Sequence, residues 1–146
     1  MIEKDDFSPQ DFLPFLLNRA AEECSLEFQG EYKNRYGMLR TEWRVLFHLG
    51  VHGSLTAKEI GVRAKIHKTK ISRAVAKLAE RRFVTRDRDE KDRRTEHLAL
   101  TSAGEMAYRD LRSVAKVYDD KLTSQFSEDE TDLLRRLLKK LSGIET

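Results

Sequence analysis

Residues 54–101 read SLTAKEIGVRAKIHKTKISRAVAKLAERRFVTRDRDEKDRRTEHLALT, and this stretch organises the chain. Thr56 is followed three residues later by Glu59. At that spacing each side chain satisfies a backbone amide at the start of a helix, a capping box. Leu55 before the cap and Ile60 after it are placed as a hydrophobic staple. A helix is therefore predicted to run to Ala64. After the short turn Lys65-Ile66-His67, a second is predicted over residues 68–80.

The second helix has two faces. Ile71, Ala74, Val75 and Leu78 recur at the i, i+3, i+4, i+7 spacing of a buried stripe. Thr69, Ser72, Arg73, Ala76 and Lys77 lie on the other side, which is small, hydroxylic or cationic. Such a face fits a major groove about 12 Å wide, but an ordinary solvated helix can carry the same residues. The segment after the helix decides between them. Residues 83–86 and 95–100 alternate as short strands, and the charged segment Asp87 to Arg94 between them has no Gly for a tight turn. Two helices, the second basic, followed by a charged β-ribbon form a winged helix-turn-helix. From Arg63 to Arg94 there are 13 Lys and Arg against 5 acids, a net +8 in a chain of net +3, so the remaining residues carry −5. Positive charge is concentrated where a polyanion would dock.

These residues resemble the MarR family of bacterial transcription regulators. The matching pieces are Thr41-Glu42-Trp43-Arg44-Val45-Leu46, Leu55-Thr56 with Glu59-Ile60, Lys68-Thr69-Lys70-Ile71-Ser72-Arg73 and Leu78-Ala79-Glu80-Arg81-Arg82-Phe83-Val84. Asp92-Arg93-Arg94 and Leu100-Thr101-Ser102-Ala103-Gly104 continue the series in order and spacing. Arg82 departs from the pattern, standing where the family commonly has Gly, which implies a differently wound turn. The resemblance implies a sequence-specific regulator of double-stranded DNA, binding a pseudo-palindromic operator as a homodimer and released from it, as a repressor, by a small aromatic or anionic ligand. Lys68, Thr69, Lys70, Ser72, Arg73 and Lys77 are the expected DNA contacts of the helix, and Arg88, Lys91, Arg93 and Arg94 those of the wing. An Asp-x-Arg element in such wings helps hold the loop, so Asp92 is expected to fix it and Arg94 to be tied to Asp92 or to the backbone. Arg88 or Lys91 is expected at the tip.

The rest of the chain fits this plan. The expected fold is mostly α with a small β-wing, in three parts: an N-terminal arm and dimerisation helix (1–38), the DNA-binding domain (39–101), and a linking helix with a C-terminal dimerisation helix (102–146). A first helix is predicted over residues 11–36, with Leu13, Leu17, Ala20, Ala21, Cys24, Phe28 and Tyr32 in one stripe and Gly37 as its stop. Thr41 is expected to cap a second helix, its buried face carrying Trp43, Leu46, Phe47 and Gly50. After the wing, Thr101 or Ser102 is expected to open another helix, Glu105 supporting a Ser102 capping box, as a strut of ~35 Å at 1.5 Å per residue. Ser127-Glu128-Asp129-Glu130 is a further capping box, leading into Leu133, Leu134, Leu137, Leu138 and Leu141. That helix is too apolar to stand alone and is assigned to the dimer interface.

No catalytic constellation is present: no Gly-rich phosphate loop, no nucleophile elbow, no His-Glu-x-x-His. An enzyme, a cofactor and a metal are not expected; His48 and His52 read as structural. A single Cys and the absence of an apolar run near 18 residues indicate a cytoplasmic protein with no membrane span. By resemblance, the effector would lie between the dimer arms and the DNA-binding core. Arg19, Trp43, Arg44 and His48 are the candidates, Arg for a carboxylate and Trp for a ring. One alternative is redox sensing through Cys24, although its place on the apolar stripe implies a buried, unreactive thiol. Another is a helical protein-interaction module, against which the local +8 argues.

Overall fold

The computed structural model describes residues 6–144. A short 3-10 turn, Pro9–Asp11, precedes α1 (Leu13–Tyr36) and α2 (Arg40–His52). Then come β1 (Leu55–Thr56), α3 (Ala57–Ala64), α4 (Lys68–Glu80), β2 (Val84–Arg88), β3 (Glu96–Leu100), α5 (Ser102–Thr123) and α6 (Glu128–Ser142). The chain forms two compact units, one ending at Arg112 and the other beginning at Ser113. No helix among the described residues is long and apolar enough to cross a membrane.

In the first unit the predicted helix-turn-helix forms as its local chemistry dictates. Thr56 and Glu59 make the reciprocal cap of α3, and Leu55 and Ile60 are both buried. The core stripe of α4, Ile71, Ala74, Val75 and Leu78, is buried along its length. The turn between the helices is closed by two devices not foreseen. Lys65 adopts a left-handed backbone, φ 56°, and the His67 ring caps α4 by accepting the Thr69 N–H at Nδ1, 3.2 Å.

The sheet has one strand more than the ribbon predicted. β3 pairs antiparallel with β2 on one side and with β1 on the other, in the order β1-β3-β2. Leu55 stands opposite Leu98 and Thr56 opposite His97, so the residues opening α3 also tie the wing to the helices. Phe83 is not part of β2. Its N–H donates to Leu78 O (2.9 Å) while that of Arg82 donates to Ala79 O (3.0 Å), the paired bonds of a Schellman motif closing α4. The expected different winding at Arg82 does not occur: Arg82 takes the left-handed φ of 63° that a Gly would take. A side chain there costs roughly 1 kcal/mol or more. Arg82→Gly should therefore stabilise the protein by a few tenths to about 1 kcal/mol, after the entropy Gly adds to the unfolded chain, and raise the urea midpoint accordingly. A lowered midpoint would show that the Arg82 side chain contributes more than the strain costs.

Several helix boundaries differ from expectation. Leu39, not Thr41, is the N-cap of α2 and makes no side-chain cap bond. The buried face of α2 carries Glu42, Val45, Leu46, His48 and Leu49. Trp43 and Phe47 instead join a half-buried aromatic group at the side: Trp43 stacks on Tyr32 (6.1 Å) and meets Phe28 and Phe47 at 5.4 Å each. Of the two candidates for opening α5, Thr101 is the cap, accepting the Gly104 N–H at 3.0 Å. Its hydroxyl also donates to Arg82 O, 2.6 Å, a partner 19 residues away that no local pattern announces.

α1 ends at Gly37 as predicted, in a left-handed turn. Of its stripe only Phe28 and Tyr32 are buried; Leu13, Leu17 and Cys24 are exposed. Within the single chain Cys24 is therefore exposed, since the core is reached only by the C-terminal part of α1. That end is pinned to α5: the Tyr36 hydroxyl donates to Asp110 (2.6 Å) and Arg35 makes an ion pair with it at 3.1 Å. Burial, then the Asp110 bond, push the Tyr36 phenol up to about 12. In the second unit, Ser127 and Glu130 form the predicted capping box of α6, and Gly143 ends the helix. Leu133, Leu134, Leu137, Leu138 and Leu141 are all exposed.

Candidate nucleic-acid interface

With Ile71, Ala74, Val75 and Leu78 turned inward, α4 leaves Lys68, Thr69, Lys70, Ser72, Arg73 and Lys77 exposed. The fold thus places all six expected helix residues on the solvent side of one rigid element. Two grooves flank the helix, each of about 550 Å³. One is lined by Lys70, Arg73 and Lys77 with Leu39, the α2 N-cap, and Glu42 of α2. The other lies between α4 and the wing and joins Lys68 and Ser72 to Lys58, Arg86 and Arg94. Its acid, Glu96, is paired with Arg86 at 2.7 Å. Arg86 and Lys58 were not among the expected contacts. β2–β3 register brings Arg86 into the groove, and register cannot be read from charge alone.

The wing loop is shorter than the sequence suggested. Asp87 and Arg88 belong to β2, paired opposite His97 and Glu96. Lys91, Arg93 and Arg94 are in the loop and exposed. Arg94 pairs with Asp92 at 3.6 Å. The Asp92 carboxylate accepts the Arg94 N–H (3.1 Å) and the Thr95 hydroxyl (3.2 Å).

Asp89 does as much, and sequence reasoning missed it. It accepts the N–H groups of Asp92 (2.9 Å) and Lys91 (3.2 Å) and contacts His97 Nε2 at 3.3 Å. The Asp92 amide first, then His97, hold the Asp89 carboxyl below its usual range. Acids in this loop act chiefly on backbone amides, as Asx residues do in turns, and so free cations for a partner. Asp92→Ala is accordingly expected to lower DNA affinity even though it removes a negative charge, which simple electrostatics would reward. Operator titrations at several salt concentrations check this. Tighter binding at every salt would reduce Asp92 to one more repulsive charge.

Among the described residues, the expected effector residues stand in different settings. Arg19 is exposed on α1 and Trp43 belongs to the aromatic group. His48 is buried and donates through Nδ1 to Arg44 O, 2.8 Å, and burial depresses its basicity. The Arg44 guanidinium is part-buried and donates to Ala64 O at the end of α3. Burial first, and then the neighbouring Arg40 charge, hold Arg44 below the usual arginine range.

Residues 36–95 match the sequence profile of the MarR family. The HTH-type transcriptional regulator BilQ of Clostridium symbiosum is 31% identical over 96 residues, 66% of this chain and 67% of BilQ. A solved MarR/EmrR family transcriptional regulator from Acinetobacter sp. ADP1 is 27% identical, with a TM-score of 0.83 over 94% of this chain and 96% of that one. The fold is shared too by Bordetella bronchiseptica BpsR, whose DNA binding is regulated by 6-hydroxynicotinic acid. It is 18% identical, with a TM-score of 0.84 and coverage of 97% and 100%.

Proposed function

Because the chain belongs to the MarR family of transcription regulators, we propose that it binds a pseudo-palindromic operator as a homodimer and represses transcription until a small aromatic or anionic ligand releases it. The observation that carries this reading is the division of α4, buried along Ile71, Ala74, Val75 and Leu78 and cationic on its exposed side. The ten expected contacts on α4 and the wing then sort by chemistry. Arg73 reads base edges, and the lysines and wing arginines hold phosphates.

The dimer is argued from exposed apolar surface. Leu13, Leu16, Leu17 and Leu26 on α1, and five leucines on α6, are each 37–62% exposed in the single chain. Apolar faces of that extent mark association surfaces. A two-fold pair would present two α4 helices to half-sites about 34 Å apart. Selection from random duplexes should recover an inverted repeat with half-sites spaced by about one turn, 10–10.5 bp. Sedimentation should give a dimer. Deleting residues from Ser127 onward should cause aggregation or unfolding, and a soluble monomer of Met1–Phe126 would count against the assigned interface.

An acid of the kind that regulates BpsR matches the chemistry of Arg19 and Arg44 for the carboxylate and of Trp43 and His48 for the ring. A second reading is regulation through the Cys24 thiol, which is exposed in the single chain and shares the α1 stripe assigned above to the dimer. Alkylating Cys24 and repeating the operator titration separates the two: loss of binding favours the thiol, unchanged binding the ligand.

A further inference from the structure

Where the start of α2 meets the α3–α4 turn, Arg40, Arg44, Lys65, His67 and Lys70 line a crevice of about 280 Å³. Among the described residues no acid lines it. Arg40 has an acidic partner outside it, Glu22 at 2.9 Å. Glu42 and Glu80 line the adjoining groove, which shares Thr41 and Lys70 with the crevice. Arg44 is the fixed member: its guanidinium is part-buried and anchored on Ala64 O. Holding a desolvated cation beside other cations costs free energy that an anion would recover.

Two further features shape this wall. The α4 N-terminus begins at this wall, adding the positive end of a 13-residue helix. Lys65 holds its place in a left-handed backbone that a side chain occupies at a cost, although Gly would suit it better.

We propose that this crevice is an oxyanion site, built to take a phosphate or carboxylate group between Arg44, Lys65 and Lys70. The group has two possible sources, a backbone phosphate of bound DNA or a free small anion. The first rests on the DNA-binding function proposed above, and the second shares Arg44 with the effector reading.

Inorganic phosphate is the probe. Full-length protein is titrated with phosphate against chloride at fixed ionic strength, following the backbone amide resonances of residues 64–70. Saturable shifts are expected with phosphate and not with chloride. Lys65→Gly should weaken the phosphate response roughly tenfold, as expected for loss of one charge-assisted contact. Its melting temperature should be no lower, because Gly relieves the left-handed strain. Lys70→Gln should weaken the response without touching that turn. Undiminished phosphate binding in both variants, or none in the wild type, overturns the site.

Salt titrations of operator binding then identify the source. A slope reduced by about one in Lys65→Gly assigns the site to DNA phosphate. An unchanged slope together with the lost phosphate response assigns it to a free anion. Failure of the wild type to bind any operator would sink the DNA reading, with the phosphate titration still deciding the crevice.

Discussion

Gly104→Ala is expected to destabilise the protein by about 3 kcal/mol or more, a large part of the 5–15 kcal/mol that holds a typical domain together. Helix propensity alone predicts the opposite sign, since replacing Gly by Ala inside a helix gains roughly 1 kcal/mol. Space decides against propensity here. A Cβ on Gly104 would lie 2.0 Å from the carbonyl oxygen of Phe83 and 3.0 Å from its carbon. That oxygen is backbone and already accepts the Thr101 N–H at 3.0 Å. Moving it disturbs the Thr101 cap of α5 and, through the Thr101 hydroxyl, the Arg82 turn. The end of α4, the return from the wing and the start of α5 would yield together. Urea unfolding checks this, and a variant as stable as wild type would mean that the Phe83 carbonyl can move freely.

Arg73→Ala is expected to weaken operator binding by about 1–3 kcal/mol and to relax specificity at a single base position. Arg73 stands mid-way along α4, on the exposed side, between Ser72 and the buried Ala74. An Arg in that place can reach O6 and N7 of a guanine with two bonds. Lys77→Ala is the control: removing a phosphate contact should weaken all sequences alike and reduce the salt slope by about one. Neither change touches the core stripe, so both variants should melt like wild type. If Arg73→Ala loses affinity uniformly, Arg73 holds a phosphate and base reading belongs to other residues. Unchanged affinity in a folded variant would remove α4 from the recognition role.

Much of this protein is legible along the chain because the forces involved act between near neighbours. The capping boxes Thr56/Glu59 and Ser127/Glu130 close within three residues, and the stripe of α4 repeats within seven. Charge concentrated between Arg63 and Arg94 needs no fold to be counted. Other features were settled by groups far apart in sequence. Thr101 outcompeted Ser102 as the α5 cap because Arg82 O stands ready for its hydroxyl. Trp43 left the buried face of α2 because Phe28 and Tyr32 of α1 offered it rings. β1 exists only because Leu98 lies opposite Leu55.

The candidate site divides the same way. Which residues of α4 face outward follows from the 3.6-residue period. Which cations gather into one crevice does not. Arg40 and Arg44 meet Lys65 and Lys70 only after α2 packs on the α3–α4 turn. Arg82 shows the reason most plainly. Its sequence argued for a turn wound to suit a side chain, yet it takes the backbone of a Gly. The Leu78 and Ala79 carbonyls and the Thr101 hydroxyl hold it there from both sides. A local preference worth about 1 kcal/mol gives way when several tertiary bonds require the same backbone.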